Sequence, residues 1–227
     1  MDIFSRNIKF WGDKKQALLK ESSILIAGLG GLGCTVAENL VRAGIGKLIL
    51  VDNDKITITN LNRQILFDQT GIGKSKVEIA KQKLKAINPE LEVKVFEEDV
   101  SELANLHLPR FDGIADCFDN YLSRFILNDA LLDDQFLVHG GVKNDFGQIT
   151  TIKNRITQNL RQIFENYKDE VESGIIPQTV ITIGSLMAYE IINNIFNKPQ
   201  LLNKLLIVEL SDFSIFKIEI NNTSIIL

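Results

Sequence analysis

The sequence predicts an α/β protein with a doubly wound, mostly parallel sheet and a small antiparallel β addition at its C-terminal end. Three observations predict this fold class. Residues 22–64 follow the order strand, glycine-rich turn, helix, strand and acid, which is typical of a Rossmann-like nucleotide-binding unit. Short apolar runs then alternate with helical patterns as far as residue 152. Residues 204–220 instead predict two antiparallel strands joined by a polar turn.

The individual elements follow from the spacing of apolar residues and from the turn residues between them. Residues 1–12 are expected to be an irregular arm, and residues 13–21 a short helix. Strands are expected where short apolar runs end in turn residues, at 24–27, 48–51, 91–96, 111–115, 136–138 and 148–152. The third of these strands alternates apolar and polar residues, which indicates an edge position. Beyond the helix that follows the glycine turn, helices are expected at 77–89, 101–108, 120–130 and 175–196.

We expect one domain over residues 1–227, because a chain of this length with 45% hydrophobic residues can bury one full core. Its parts are an N-terminal arm and helix at 1–21, a nucleotide-binding core at 22–152, and a C-terminal part at 153–227. The C-terminal part is expected to contain a mobile loop at 153–173, the long helix and the last strands.

Composition excludes several classes of protein. The net charge of −4 is not that of a general nucleic-acid binder, so nucleic acid is not expected as a partner. The two cysteines, Cys34 and Cys117, have no C-x-x-C partner, so we expect neither a disulfide framework nor a structural zinc site and assign both to the core. The sequence shows no signal peptide and no segment apolar enough to span a bilayer, so a cytoplasmic protein without a membrane partner is expected.

The glycine-rich turn at residues 28–33 carries the first functional signal. Gly28, Gly30 and Gly31 allow the backbone to turn tightly and approach a phosphate chain, whose charge is met by the N-terminus of the following helix. Asp52, at the end of the second strand, can accept hydrogen bonds from ribose hydroxyls. The turn alone does not separate a dinucleotide from ATP, and a glycine turn without any ligand is the alternative.

Residues 59–64, TNLNRQ, favour a triphosphate over a dinucleotide. Arg63 stands in an Asn-rich turn just past the ribose acid, and an arginine fork matches phosphate oxygens. Lys74 and Lys76 stand at the start of the next helix, where the helix dipole disfavours a cation. Their placement indicates a nearby anion, with solvated lysines as the alternative.

The acid that follows the fourth strand is a candidate metal ligand. Asp119 lies just beyond the carboxyl end of that strand, which in an open α/β sheet borders the ligand crevice. Mg²⁺ is bound by carboxylate oxygen beside phosphate, so Asp119 is assigned to magnesium. The alternative is that Asp119 or Asn120 caps the helix that begins there, and the two roles can coexist on this neighbouring pair.

If the ligand is ATP and the reaction attacks phosphorus, cationic groups on the phosphates and a magnesium ligand are expected, and no base is required when the nucleophile is already an anion. A peptide C-terminal carboxylate is already ionised at neutral pH and therefore needs no general base. The two histidines, His107 and His139, stand in no recognisable pairing with a nucleophile and are assigned structural or surface roles.

Taken together, these motifs resemble the ThiF/MoeB/HesA family, the bacterial relatives of ubiquitin-activating enzymes. The resemblance runs from residue 4 to about residue 219 and is carried by the segments SRN, GLGGLG, VDNDKITITNLNRQ, GKSKVE, DCFDN, GGVKNDFGQI and GIIPQTVITIGSL. It implies an ATP-dependent adenylyltransferase that activates the C-terminal glycine of a small ubiquitin-like sulfur carrier, ending in Gly-Gly. The product would be an acyl-adenylate, with release of pyrophosphate, in a pathway such as molybdopterin or thiamine biosynthesis.

The resemblance also implies roles for individual residues. Arg63 and Lys76 would act on the phosphates, and Asp119 would hold magnesium. Arg6 matches an arginine that such homodimers lend across the interface to the partner's active site. The implied nucleotide-contacting residues are Gly28, Gly30, Gly31, Asp52, Asp54, Thr59, Asn60, Asn62, Arg63, Gln64, Lys76 and Asn120.

Two departures from the family pattern matter. The chain lacks the two C-x-x-C pairs that commonly bind a structural zinc, so its C-terminal part is expected to hold together by packing alone. Residues 153–173 contain no cysteine for thioester or persulfide transfer, which puts a covalent sulfur step in doubt. Adenylation needs no thiol and is unaffected.

Other interpretations stay open. The same chemistry could act on a carboxylate of a modified tRNA base or of a ribosomal peptide. The chain could also be a non-catalytic partner subunit of an activating complex, although such a scaffold needs none of Arg63, Lys76 and Asp119. A nicotinamide dehydrogenase is disfavoured by residues 59–64.

Overall fold

The computed structural model describes residues 3–102, 106–164 and 174–220, which form one eight-stranded sheet with helices on both faces. The strands are β1 Ser23–Ala27, β2 Lys47–Val51, β3 Glu92–Phe96, β4 Gly113–Asp116, β5 Phe136–Lys143, β6 Phe146–Ile152, β7 Lys204–Glu209 and β8 Ser214–Glu219. The helices are α1 Ser5–Trp11, α2 Asp13–Glu21, α3 Gly31–Ala43, α4 Lys76–Ile87, α5 Tyr121–Asp129, α6 Leu160–Ile163 and α7 Pro177–Ile195. Within these ranges, no helix is long and apolar enough to cross a membrane.

The sheet combines a parallel half with an antiparallel half. Its strand order is β3-β2-β1-β4-β5-β6-β7-β8, and the first five strands of this order run parallel to one another. The last three strands are antiparallel to their neighbours. The predicted fold class is therefore confirmed, as is the edge position of β3, which is half-exposed along its length.

The core consists of two apolar layers, one on each face of the sheet. Along β1, Ile24 and Ile26 pack into the layer formed with α3, α4 and α7, whereas Leu25 and Ala27 pack into the layer formed with α5 and α6. Because successive side chains of a strand point to opposite faces, a parallel strand covered on both sides is apolar at every position. This explains why all five residues of β1 are buried.

The N-terminal arm is helical, so the prediction of an irregular segment at 1–12 is wrong. Helix α1 ends at Gly12, whose φ of 84° breaks the helix before α2 begins. The indole nitrogen of Trp11 donates a hydrogen bond to Gln16 Oε1 over 3.0 Å, and its ring lies edge-on against Phe196. The short helix is thus stabilised by contacts with α2 and with the end of α7, which local sequence does not reveal.

Strand β5 continues past Val138 to Lys143, which corrects the prediction that it ends before His139-Gly140-Gly141. Antiparallel pairing with β6 carries the strand through these glycines, with Gly140 opposite Ile149. A Cβ on Gly140 would overlap the sulfur of Met187 in α7. The glycine is therefore required by the close approach of a helix, and not by a turn.

The predicted short helix at 101–108 falls partly outside the described residues. A 3₁₀ turn covers Val100–Glu102, and residues 103–105 are not described. Of the predicted mobile loop at 153–173, residues 165–173 also lie outside the described ranges.

A buried carboxylate joins the long helix to the antiparallel half of the sheet. Glu190 of α7 is 3% exposed, and its Oε1 accepts hydrogen bonds from Thr151 Oγ1 over 3.0 Å and from the backbone amides of Gln200 over 2.8 Å and Leu201 over 2.9 Å. The expectation that packing alone holds the C-terminal part together is therefore wrong in this respect. One polar centre ties α7, β6 and the segment before β7 to one another.

Replacing Glu190 with alanine should lower the free energy of unfolding by about 3 kcal/mol. Three buried donors lose their acceptor, each at a cost of about 1–3 kcal/mol, and removal of a buried carboxylate offsets part of the loss. Urea denaturation at pH 7 measures the change. Glu90→Ala is the control and should leave stability nearly unchanged, because the one ion pair of Glu90 among the described residues, with Lys20, is exposed. Equal losses in the two variants would contradict the assignment.

Candidate active site

The candidate site is the crevice where the winding of the sheet reverses, between β1 and β4. These strands pair in parallel with Ala27 opposite Asp116, so their carboxyl ends lie at the same level. The chain leaves β1 toward α3 on one face of the sheet and leaves β4 toward α5 on the other. In open α/β sheets, ligands bind at this reversal point, where the turns diverge.

The glycine turn is shaped by close backbone contacts. Gly28 has a φ of 89°, and a Cβ there would lie 3.1 Å from the carbonyl oxygen of Cys117 in the turn after β4. A Cβ on Gly33 would overlap the carbonyl oxygen of Gly28. In contrast, among the described residues a Cβ on Gly30 would meet no atom within 4 Å, and no side chain caps the helix that begins at Gly31. The first amides of α3 can therefore bind an anion.

Asp52 lies beside the glycine turn and is held in place by backbone amides. Its Oδ2 accepts a hydrogen bond from the Leu29 amide over 2.6 Å, and its Oδ1 accepts one from the Asp54 amide over 2.8 Å. Burial raises the pKa of Asp52, while Lys76 and the two amides act in the opposite direction. The structure thus orients the carboxylate that the sequence assigns to the ribose.

Lys76 is a buried cation next to this carboxylate. It is 5% exposed, and its Nζ lies 2.7 Å from Asp54 Oδ2 and 3.9 Å from Asp52 Oδ1. The anion that the sequence predicts near Lys76 is, in this structure, the pair of aspartates. Lys74, the second predicted lysine, is exposed. A buried ammonium interacts more strongly with an anion than an exposed one does, so Lys76 is the candidate for phosphate.

Residues 59–64 place Arg63 against the glycine turn. The Arg63 side chain lies 3.4 Å from the position of a Cβ on Gly31, and its Nη1 donates to the carbonyl of Thr59 and to Asn62 Oδ1. Asn60 Oδ1 accepts a hydrogen bond from the Thr57 amide and fixes the turn. Gln64 is 3% exposed, and its Oε1 has no hydrogen-bond partner among the described residues.

The turn after β4 separates the two roles that the sequence leaves open for Asp119 and Asn120. Asn120 caps α5, because its Oδ1 accepts a hydrogen bond from the Ser123 amide over 2.9 Å. The Asp119 carboxylate is exposed and, among the residues that the structure describes, accepts only a long hydrogen bond of 3.4 Å, from Asn120 Nδ2. The capping role therefore falls to Asn120.

The donor set at Asp119 fits magnesium that is bound together with phosphate. Within the described part of the chain, no three His, Cys, Asp or Glu side chains are grouped so that they could hold a metal by themselves. Mg²⁺ typically takes one or two carboxylates and completes its shell with water and substrate phosphate. One exposed carboxylate across from the glycine turn, where helix amides can bind an anion, is such an arrangement.

Arg6 is the predicted site residue that the structure does not bring into the crevice. Helix α1 lies at the C-terminal end of α3, where Asn7 Nδ2 donates to the carbonyl of Arg42 over 2.9 Å. The glycine turn is at the opposite end of that helix, about 20 Å away for 13 residues at ~1.5 Å per residue. Within the described ranges, the exposed Arg6 side chain has no hydrogen bond or ion pair.

Three buried polar residues below the crevice were missed as functional candidates. Asp116, at the end of β4, and His139, within β5, are fully buried and lie opposite each other, and Arg124 is 5% exposed in the first turn of α5. A signal was present, because Asp116 and His139 each directly follow a predicted strand. The buried face of α5 also includes Tyr121, Arg124 and Leu127, at helical spacing.

Both cysteines are buried, as the sequence predicts. Burial raises the pKa of Cys34 to about 12 and raises that of Cys117 well above its usual value. Neither thiol is therefore a thiolate at neutral pH, and neither is suited to be a nucleophile.

A family model for the ThiF family matches residues 4–224. The chain belongs to the ThiF family. This confirms the resemblance that the motifs carry. The chain is 37% identical over 207 residues to the molybdopterin-synthase adenylyltransferase of Escherichia coli strain K12, covering 87% of this chain and 82% of that protein.

Two other relatives found by sequence are longer than this chain. A probable molybdopterin-synthase adenylyltransferase of Porphyra purpurea is 34% identical over 201 residues, which are 85% of this chain and 53% of that protein. An adenylyltransferase and sulfurtransferase MOCS3 of Drosophila persimilis is 39% identical over 142 residues, which are 62% of this chain and 32% of that protein. The match thus spans about half of the Porphyra protein and about a third of the Drosophila protein.

Solved structures agree on the fold of this ThiF-family chain. A crystal structure of Escherichia coli MccB with succinimide matches with a TM-score of 0.86 at 24% sequence identity, covering 98% of this chain and 72% of that one. The likeness includes both the parallel sheet and its antiparallel extension, because nearly the whole chain is covered.

The free energy of unfolding should fall as the pH drops from 7 toward 5, partly because of His139. Burial lowers the pKa of His139 in the folded state below its value in the unfolded chain. Over this pH range the unfolded state therefore binds a proton at His139 that the folded state does not bind. This contributes a slope of up to about 1.4 kcal/mol per pH unit. Urea denaturation across this range measures it. His139→Asn should reduce the slope of unfolding free energy against pH. His107→Asn, at an exposed position, is the control and should keep a slope near that of the wild type. Equal slopes in the wild type and both variants would contradict the burial effect.

Proposed function

We propose that this chain is an ATP-dependent adenylyltransferase that activates the C-terminal carboxylate of a ubiquitin-like sulfur-carrier protein ending in Gly-Gly. The observation that carries the proposal is the convergence of five groups at the reversal point of the sheet. These are the glycine turn, Asp52, Arg63, Lys76 and Asp119. The relatives named as molybdopterin-synthase adenylyltransferases support the same reaction, which we expect in the cytoplasm.

The proposed step needs no general base. The carrier carboxylate, already ionised, forms a bond to the α-phosphorus of ATP, and the bond from that phosphorus to the oxygen bridging to the β-phosphate breaks. Pyrophosphate leaves with the electron pair, and no proton is transferred. The protein therefore contributes by positioning the reactants and by neutralising charge.

The chain's own residues divide this work. The amides at the start of α3 would bind phosphate, and Asp52 would accept hydrogen bonds from the ribose. Lys76 would exchange its contact with Asp54 for a phosphate oxygen, while Arg63 would bind phosphate from the other side of the glycine turn. Asp119 would hold a magnesium ion, which supplies further charge neutralisation on phosphate.

A homodimer would complete the site with Arg6. The exposed Arg6 lies at the far end of α3 from its own glycine turn, so it cannot serve its own crevice without rearrangement of α1. A second copy of the chain could present it to the crevice of the first. This proposal accounts for an exposed arginine that has no partner among the described residues, on a helix that otherwise makes its contacts through Trp11 and Asn7.

Lys76→Ala and Asp119→Ala should each reduce carrier-dependent exchange of labelled pyrophosphate into ATP by about a hundredfold, because each removes charge stabilisation at the phosphates. The assay uses a purified carrier ending in Gly-Gly, and circular dichroism verifies that the variants fold. Lys74→Ala is the control, since it removes an exposed lysine two residues away and should keep full exchange. If exchange occurs with a ribosomal peptide but with no such carrier, the substrate is a peptide and the proposed carrier substrate is wrong. No exchange with either would refute it.

Mixing Arg6→Ala with Lys76→Ala should restore activity if Arg6 acts in the partner's site. A mixture that has exchanged subunits contains half heterodimers with one intact site each, so about a quarter of wild-type exchange is expected. Mixing Lys76→Ala with Asp119→Ala should restore nothing, because every site then keeps one defect. Equal behaviour of the two mixtures would show that Arg6 does not act in trans.

A further inference from the structure

The backbone of Phe118, the residue that precedes Asp119, is held at its amide and at its carbonyl by two buried side chains. Asp116 Oδ1 accepts a hydrogen bond from the Phe118 amide over 3.3 Å. On the other side, Nε and Nη2 of Arg124 both donate to the Phe118 carbonyl oxygen, over 3.1 and 2.6 Å. The orientation of Phe118 is thus fixed at both ends, immediately before the proposed magnesium ligand.

Both holding groups are anchored on the neighbouring strand β5. Asp116 Oδ2 lies 2.7 Å from His139 Nδ1, and the two residues are fully buried at opposite positions of β4 and β5. Arg124 Nη2 also donates to the carbonyl of Gly140 over 3.3 Å. We call Asp116, Arg124 and His139 the polar bracket. The polar bracket connects the parallel strands β4 and β5 to the turn that bears Asp119, and so holds that turn in a fixed position relative to the sheet.

The other side of this turn lies against the glycine turn. The Phe118 ring is 3.2 Å, and the Cys117 carbonyl oxygen 3.1 Å, from the position of a Cβ on Gly28. The turn is therefore enclosed between the polar bracket and the phosphate-binding backbone. Asp119 consequently has a fixed position relative to the glycine turn, although its own carboxylate is exposed.

The polar bracket is costly as a purely structural device. The guanidinium of Arg124 is 5% exposed and lies against the Tyr121 ring. Within the described residues it donates only to carbonyl oxygens and forms no ion pair with a carboxylate. Burial of a charge with neutral acceptors is unfavourable compared with apolar packing at the same place. Such groups are retained where they orient a functional residue.

We propose that Asp116, Arg124 and His139 are positioning residues that set the Asp119 carboxylate for magnesium bound with ATP. The proposal rests on the proposed function, because it assigns a task to the same crevice. None of the three residues touches the reacting atoms. Each acts through the backbone of Phe118, so its loss should weaken the effect of magnesium and leave the metal-free contacts with ATP intact.

Calorimetric titration of ATP, in EDTA and in saturating MgCl₂, tests this. The ratio of the two affinities measures the contribution of magnesium, and loss of an orienting partner costs about 10- to 100-fold in metal affinity. Arg124→Lys should reduce the ratio about tenfold, because one ammonium cannot hold a carbonyl as the guanidinium fork does. ATP affinity in EDTA should stay that of the wild type.

Two matched pairs of variants distinguish the loss of Asp119 positioning from a general loss of stability. Arg161→Lys is the control for Arg124→Lys, since Arg161 also covers an aromatic ring and donates through two nitrogens, but to surface Asp129. His139→Asn keeps an amide nitrogen in the place of Nδ1 and should retain the wild-type ratio, whereas His139→Gln should lose about tenfold. Thermal unfolding is recorded for all four variants.

The outcomes distinguish this proposal from the proposed function. Failure of the wild-type chain to bind ATP would refute the function itself, and an ATP affinity insensitive to magnesium would remove the role of Asp119 and the proposal with it. Retention of the wild-type ratio in both Arg124→Lys and His139→Gln, while Asp119→Ala loses it, would overturn the positioning role alone. If Arg124→Lys does not fold, the two His139 variants decide.

Discussion

The parallel register of β1 with β2 and β4 is the constraint on which the rest of the structure depends. Ala27 lies opposite Val51 on one side and opposite Asp116 on the other. Because the three strands end at one level, the glycine turn, Asp52 and the turn bearing Asp119 emerge together at one edge of the sheet. A shift of one residue in either pairing would turn every apolar side chain of that strand to the wrong layer. The core that fixes the register thereby also fixes the site.

The crevice contains several buried polar groups that lower the stability of the folded state. Burial raises the pKa of Asp52, so the ionised carboxylate at neutral pH is less favourable in the folded than in the unfolded chain. Lys76 and two backbone amides offset part of this cost. Arg124 is buried without an acidic partner in the described part of the molecule. Such local costs are typical of functional sites, and the two apolar layers around β1 supply the compensating stability.

The sequence predicts the parallel half of the fold well because each local signal there agrees with the tertiary structure. Apolar runs, turn glycines and the acids at strand ends all indicate the same order of elements, and the helix cap predicted at Asp119 or Asn120 is formed by Asn120. Prediction failed where a distant partner decides. Helix α1 depends on the contact of Trp11 with Phe196, and the continuation of β5 depends on pairing with β6 and on the nearby Met187. The pairing of Asp116 with His139 likewise requires knowing that β4 and β5 are neighbours.

The character of the proposed reaction explains why so much of the site lies in backbone geometry. A nucleophile that is already ionised needs no base, so the rate depends on where the phosphate chain and its counter-charges are held. Of the residues proposed to hold them, Arg63 and Asp119 stand on turns, which are intrinsically less rigid than strands. Hydrogen bonds with Asp116 of β4 and Arg124 of α5, which also contacts β5, fix both backbone groups of Phe118 and give one of those turns the rigidity of the sheet. The polar groups below the crevice are therefore best understood as part of the mechanism that positions charge, even though none of them faces the substrate.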